Sequence, residues 1–160
     1  MIADIAISPQ ECIKHLHNSD IGEGLPESVL ARLAGISSIL QLELGEVLTM
    51  EGASGHHMYV IIQGSIEVQL APNDENSVSA SRMLPAGSVI GEMSIIEAST
   101  RTARTIATEP TSLLCIRDQD LWGLFDADPL AGYQFMRNLA RVLSHRLRQT
   151  NLAIRNNFFT

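Results

Sequence analysis

The sequence lacks a hydrophobic run long enough to cross a membrane. The longest uninterrupted apolar stretch extends from Met58 to Ile62, whereas a transmembrane helix needs roughly 18 to 20 consecutive apolar residues. The N-terminus carries neither a basic flank nor the apolar core of a secretory signal. These absences predict a cytoplasmic protein that does not associate with a membrane.

Cysteine, lysine and aromatic residues are also scarce. The two cysteines, Cys12 and Cys115, are too few for a disulfide framework, and neither has the spacing of a metal site. Lys14 is the single lysine, which excludes a lysine-based phosphate loop, and no GxSxG or HExxH motif occurs. With 4% aromatic residues and a pI of about 5.1, the chain is poorly suited to direct binding of nucleic acid. We therefore expect no metal, no catalytic residue and no enzymatic activity.

The residues that are abundant predict one folded domain with unevenly distributed charge. Of the 160 residues, 45% are hydrophobic, which is enough to bury one core. The net charge is −7, yet every acidic residue precedes residue 129. The remainder of the chain holds only basic charges, on Arg137, Arg141, Arg146, Arg148 and Arg155. A basic segment on an acidic body is suited to an acidic protein partner.

Two helices are predicted before any strand. Ser8 has the position of an N-cap, Pro9 that of the first helical residue, and Glu11 follows the cap by three residues. A second helix is expected to begin near Pro26, because apolar residues then recur at helical spacing as far as Gly35.

After these helices the pattern changes to short strands and then returns to helix. Apolar runs of strand length, separated by glycines, occupy residues 39–117, and residues 71–81 have the composition of a polar hairpin loop. A short helix is expected from Asp118, with Trp122 in the core, and a long helix from Pro129. This order predicts an α+β fold, an antiparallel β jelly roll or barrel flanked by N-terminal helices and a long C-terminal helix.

The long helix also carries a spacing that is typical of a coiled coil. Six residues alternate at intervals of four and three, namely Met136, Ala140, Leu143, Leu147, Thr150 and Ile154. One interpretation is a homodimer through residues 136–154. The other is an amphipathic helix packed on its own barrel, and the spacing leaves both open.

Residues 87–107 contain the densest cluster of groups able to bind a ligand. Gly91 precedes a short apolar stretch that can form one helical turn, whose unpaired backbone N–H groups attract an anion. Arg101 follows ten residues later and can bind the same anion in a bidentate manner. Glu92 would repel a phosphate but could accept a hydrogen bond from a sugar hydroxyl, so the cluster points to a phosphorylated ribose.

These residues resemble the phosphate-binding cassette of the cyclic nucleotide-binding domain family, whose members include the catabolite activator protein and the regulatory subunits of cyclic AMP-dependent protein kinase. The similarity rests on Gly91-Glu92-Met93-Ser94-Ile95 followed by Arg101-Thr102-Ala103. It implies three segments. Residues 1–24 are an N-terminal helical extension, residues 25–150 are the cyclic nucleotide-binding domain with its C-terminal helices at about 118–150, and residues 151–160 are a tail.

The resemblance implies a role for each cassette residue. Glu92 would accept a hydrogen bond from the ribose 2′-hydroxyl, and Arg101 would pair with the exocyclic phosphate oxygens. Backbone N–H groups of Met93, Ser94 or Ile95 would complete the phosphate site. Gly91 would permit the tight turn, Thr102 would supply a hydroxyl, and the small side chain of Ala103 would leave room for the ligand.

The base-contacting residue is less clear from the resemblance. In some family members a threonine at the position of Thr102 accompanies a preference for cyclic GMP, and Arg146 or Arg148 on the last helix are candidates to cap the base. The chain departs from the common family pattern at Thr100, Ser94 and Arg104. A slipped register would bring Arg104 rather than Arg101 to the phosphate.

The resemblance implies a non-enzymatic sensor that binds cyclic AMP or cyclic GMP. The ligand would change the position of the last helix, which would pass the change to an effector protein. Two alternatives stay open, a scaffold of the same fold that binds no ligand, and the sensory part of a transcription regulator whose DNA-binding domain is absent from this sequence.

Overall fold

A computed structural model describes residues 7–70 and 80–158. The helices of this part are α1 Pro9–His17, α2 Glu27–Gly35, α3 Glu92–Glu97, α4 Asp118–Ala127 and α5 Pro129–Phe158. The strands are β1 Ser37–Leu42, β2 Val47–Thr49, β3 His57–Gln63, β4 Ser65–Leu70, β5 Ala80–Pro85, β6 Val89–Ile90, β7 Arg104–Ala107 and β8 Thr111–Arg117. None of the helices in these ranges is long and apolar enough to cross a membrane.

The strands form two antiparallel four-stranded sheets, in the orders β1-β8-β3-β6 and β2-β7-β4-β5. With helices before, within and after the strands, this arrangement confirms the predicted α+β class. The predicted start of the first helix is also confirmed, because the Ser8 hydroxyl accepts from the Glu11 N–H while the Glu11 carboxylate accepts from the Ser8 N–H.

The apolar side chains form two clusters, and β3 contributes to both. Tyr59 and Ile61 point to the cluster between the two sheets. Met58, Val60 and Ile62 point to the cluster that also includes residues of α1, α2, α4 and α5. A strand covered on both faces has no solvent side, and this explains the continuous apolar run from Met58 to Ile62.

Three expectations need correction or extension. Ala80 and Ser81 belong to β5, not to the polar loop, and the rest of that predicted loop, residues 71–79, lies outside the described residues. Trp122 is 37% exposed and packs edge-on against Phe125, so it is not a core residue. Helix α5 continues without a break as far as Phe158, so most of the predicted tail is helical.

Candidate functional site

The turn between β6 and α3 depends on glycine. Gly91 has φ of +82°, a left-handed conformation that side chains disfavour. A Cβ atom built there would lie 2.2 Å from Nη1 of Arg101 and 2.8 Å from the carbonyl oxygen of His57. The predicted role of this glycine therefore has two physical reasons, its backbone conformation and the close approach of the arginine.

Arg101 is a buried cation held by neutral groups. The residue is 6% exposed, and Nη2 donates to the His57 carbonyl at 2.8 Å. Nη1 makes longer contacts of 3.5 Å with the Gly91 carbonyl and the Ser94 hydroxyl. None of the ion pairs within residues 7–70 and 80–158 includes Arg101. A buried charge compensated only by dipoles is costly, so this position favours an anion.

An aromatic ring and a small cavity adjoin this guanidinium. Cζ of Arg101 lies 5.6 Å from the centre of the Tyr59 ring, within the range of a cation–π contact. Burial raises the pKa of Tyr59, so its hydroxyl stays protonated at neutral pH. A cavity of about 240 Å³ lies beside both residues, with Thr49 and Ser54 among its lining. The arginine therefore lines a small, open pocket on this side of the barrel.

Glu92 is buried at the first position of α3 and pairs with the C-terminal helix. The residue is 5% exposed, and its Oε1 accepts from Nη1 of Arg146 at 2.5 Å. Nη2 of Arg146 donates to the Val89 carbonyl at 2.6 Å. Arg146, a candidate from the sequence to cap the base, therefore contacts the carboxylate of Glu92, the candidate acceptor for the ribose hydroxyl.

Glu92 and Ser94 project to different sides of α3. Two residues along an α-helix correspond to a rotation of about 200°, and the Ser94 hydroxyl accordingly contacts Arg101 while the Glu92 carboxylate contacts Arg146. The short helix therefore lies between a cation on one side and an ion pair with α5 on the other.

The other predicted residues have distinct environments. Ser94, Ile95 and Ala103 are buried, whereas Met93 is 38% exposed and its sulfur lies 4.0 Å from the Thr102 hydroxyl. Arg104 donates to Gln69 on β4 at 2.8 Å. This contact differs from those of Arg101, so the structure does not support the slipped register.

Some contributors to the site were not found from the sequence. The carbonyl groups of His57 and Val89 accept hydrogen bonds from the two arginines, and backbone acceptors have no residue signature. Tyr59 could have been suspected, because it is a ring with a polar end inside an otherwise aliphatic strand. His56 pairs instead with Asp118 at 3.0 Å, and the described residues contain no group of three side chains able to hold a metal ion.

Comparisons with known proteins identify the family. The family model of the cyclic nucleotide-binding domain matches residues 39–128, more than half of the chain, and the chain therefore belongs to this family. The cyclic AMP receptor protein of Thermus thermophilus is 28% identical over 112 residues, which cover 69% of this chain and 49% of the relative. A CRP-like cAMP-activated global transcriptional regulator of Mycobacterium tuberculosis is 27% identical over 147 residues, or 91% of this chain and 62% of the relative.

Solved structures agree on the fold. A cyclic nucleotide-binding domain from Methylobacillus flagellatus superposes with a TM-score of 0.78 at 20% identity, covering 94% of this chain and 82% of that one. The regulatory domain of Toxoplasma gondii PKA with cAMP superposes with a TM-score of 0.72 at 17% identity, covering 86% and 50%. At such identities the similarity concerns the fold alone. The chain spans less than two thirds of the length of the curated relatives named above.

Proposed function

We propose that this chain is a non-enzymatic sensor domain that binds cyclic AMP or cyclic GMP. The observation that carries the proposal is Arg101, a buried guanidinium that none of the ion pairs within the described ranges includes. A singly charged cyclic phosphate would neutralise this buried charge. We take residues 25–150 as the binding domain and the cytoplasm as its location.

Each cassette residue has a proposed contact with the ligand. Arg101 pairs with the exocyclic phosphate oxygens, and the Glu92 carboxylate accepts from the ribose 2′-hydroxyl. Backbone N–H groups of Met93, Ser94 or Ile95 and the Thr102 hydroxyl make further contacts. Ala103 and Gly91 are small and leave space for the ligand. Family membership supports this assignment, and the burial of both charged groups agrees with it.

Arg146 connects the site to the helix that would transmit the signal. Because Arg146 occupies Oε1 of Glu92, a ribose hydroxyl that approaches this carboxylate must share it or displace the arginine. Either event changes a contact of α5. Binding would then shift the population of α5 positions, and an effector protein on the basic helix would respond to the shift. We place no nucleic acid and no membrane among its direct partners.

A scaffold without ligand is the second candidate, and one observation favours it. The ion pair with Arg146 already satisfies the carboxylate that the ribose would need. In this alternative the ion pair between Glu92 and Arg146 permanently joins α3 to α5.

Thermal unfolding of the full chain with cyclic AMP, cyclic GMP and linear AMP distinguishes the two candidates. Ligand at about one hundred times its Kd stabilises a protein by roughly 2.7 kcal/mol, which raises Tm by several degrees for a domain of this size. We expect this rise with at least one cyclic nucleotide and not with AMP. No rise with any cyclic nucleotide at millimolar concentration would contradict the sensor and favour the scaffold.

A further inference from the structure

The loop between β2 and β3 contacts both the backbone and the side chain of Arg101. The Arg101 N–H donates to the Ala53 carbonyl at 2.8 Å, and the Gly52 N–H donates to the Arg101 carbonyl at 2.8 Å. A Cβ atom built on Gly55 would lie 2.8 Å from Nε of Arg101. His56 follows Gly55 directly and lines the same cavity of about 240 Å³ as the guanidinium. A titratable side chain therefore adjoins the proposed phosphate site.

His56 is also bound to the start of α4. Its Nδ1 lies 3.0 Å from Oδ2 of Asp118, and the Asp118 N–H donates to the His56 carbonyl at 2.9 Å. Burial raises the pKa of Asp118, but hydrogen bonds from His56 and the Gln119 N–H, together with the charges of His56 and His57, hold it below its ordinary value. Asp118 is therefore ionised at neutral pH and stabilises a protonated imidazole at His56.

Further titratable or charged groups lie on this loop and on the elements packed against it. Besides Asp118, they are Glu51, His57, Tyr59, Arg101, Arg117 and Asp120. His57 lies opposite Arg117 in the pairing of β3 with β8, and Arg117 donates two hydrogen bonds to the carboxylate of Asp120. Of the two adjacent histidines, His56 is the one that is hydrogen-bonded to Asp118, so its imidazole is the better position for a proton.

The charge of Arg101 controls how easily His56 is protonated. Without ligand, the guanidinium opposes a second positive charge at the same cavity. A bound cyclic phosphate neutralises the guanidinium, so an imidazolium then faces an anion as well as Asp118. If the bound state holds more protons than the free state, linkage requires the ligand to bind more tightly as the pH falls. The cyclic phosphate keeps one negative charge over this range, so the added proton belongs to the protein.

We infer that His56 takes up a proton when the phosphate of a cyclic nucleotide binds at Arg101, so that affinity rises as the pH falls through the range in which histidine titrates. The inference rests on the proposed function. The side chain of His56 is 71% exposed, and solvent therefore screens its interactions. We expect the affinity to be about twofold to fivefold higher at about pH 5.5 than at about pH 8, the size of effect that exposed charge pairs produce.

Isothermal titration calorimetry of the full chain with cyclic AMP and with cyclic GMP tests the inference without any variant. Titrations at about pH 6.5 in PIPES and in imidazole, buffers that differ in ionisation enthalpy, give the number of protons taken up with the ligand. We expect uptake of a fraction of a proton. Binding with equal heats in the two buffers would overturn the inference and leave the sensor standing. Binding of neither nucleotide would overturn both.

Variants then assign the proton to a residue. His56→Gln should abolish the uptake and bring the ratio of Kd values at the two pH extremes close to one, and Asp118→Asn should reduce the uptake because the imidazolium loses its carboxylate. His17→Gln is the matched control, since His17 is exposed on α1 beside Asn18, and it should keep the ratio of the wild type. Unchanged uptake in His56→Gln, or loss of the uptake in His57→Gln alone, would overturn the role of His56. Thermal unfolding of each free variant at both pH values verifies that it is folded.

Discussion

Arg101 has a charge that its neighbours compensate with dipoles only, and its removal should affect ligand more than fold. Arg101→Ala should weaken binding of the preferred cyclic nucleotide by about 2 to 4 kcal/mol, because a charge-assisted partner of the phosphate is lost. Titration calorimetry measures the change, with Arg104→Ala as the control of equal charge. An affinity within twofold of the wild type would contradict the phosphate assignment.

Gly91 offers a second test at the scale of one residue, because a methyl group there would occupy the space of the Arg101 guanidinium. Gly91→Ala should reduce ligand affinity at least about tenfold by displacing this side chain, beyond the roughly 1 to 2 kcal/mol of stability lost to a left-handed alanine. Gly24→Ala is the matched control, since Gly24 has φ of +71° but nothing within 4 Å of its Cβ position. Equal affinities of the two variants would contradict this account.

The sequence predicted those parts of the site whose residues lie close together along the chain. Gly91, Glu92 and Arg101 lie within eleven residues, and a family pattern can record such spacing. The contact of Arg146 with Glu92 joins residues 54 positions apart. No local pattern encodes that distance, so the sequence could suggest Arg146 for the site but not its partner.

Helix α5 is joined to the cassette by a buried ion pair, and the two partners should be strongly coupled. Arg146→Ala leaves the buried Glu92 carboxylate without this partner and should lower the free energy of unfolding by about 3 to 5 kcal/mol, the usual cost of breaking such a pair. Adding Glu92→Gln should restore part of that loss, because the uncompensated charge is then absent. Urea unfolding of the two single variants and the double variant measures the coupling, and additive losses would contradict it.

A second ion pair joins α2 to the start of α5 and predicts an acid dependence of stability. Arg32 donates a hydrogen bond to the Asp128 carboxylate, and the Ala131 N–H donates a second hydrogen bond to it at 3.1 Å. These bonds hold the pKa of Asp128 below its ordinary value. Because the folded-state pKa is the lower one, this stabilisation is present above the unfolded-state pKa and is lost as the pH falls through the folded-state pKa.

Asp128→Asn should therefore reduce the loss of unfolding free energy on acidification from about pH 5 to pH 2, the window of a depressed aspartate. Urea unfolding at several pH values in this range measures how steeply the free energy of unfolding falls with decreasing pH. Arg32→Ala should reduce the slope by a smaller amount, since the Ala131 bond remains, and the double variant should resemble Asp128→Asn. A slope equal to that of the wild type in Asp128→Asn would show that this carboxylate is not responsible.

Among the elements, those with strong local signals were predicted best. The capping residues identified α1, and Pro129, the first residue of α5, identified the start of that helix. Its far end was expected at about Gln149 or beyond, because residues 150–158 contain neither glycine nor proline to mark a stop, and the helix extends to Phe158. Trp122 was misplaced because its aromatic character suggests burial, whereas exposure is decided by how α4 packs, and that is not a local property.

At the scale of the whole molecule, the exposed apolar residues of α5 predict self-association. Leu147 and Ile154 are 61% and 48% exposed, and both belong to the four-three spacing of a coiled-coil seam. We expect light scattering to give about twice the mass of the 17.5 kDa chain at tens of micromolar protein. Leu147→Glu should shift the mass toward the monomer. Leu152→Glu, at a residue 56% exposed but off the seam, should not.

A monomer mass with and without cyclic nucleotide would contradict the dimer and leave the amphipathic interpretation. The sequence alone could not decide between these two, because the same spacing serves a seam between copies and a face packed on the barrel. The two-sheet architecture, in contrast, was predictable, since glycines mark the ends of many strands.

The length of α5 has a mechanical consequence. Asn138 is buried and donates to the carbonyls of Ile21 and Glu23, which anchors the helix to the N-terminal segment. Phe158 lies twenty residues further on, or about 30 Å at 1.5 Å per residue. A rotation of about 10° around the anchor would carry that end by about 5 Å but move Arg146, at less than half the distance, by about 2 Å. A rigid helix held at Asn138 would act as a lever, so a displacement that begins at Arg146 would be largest at the far end of α5.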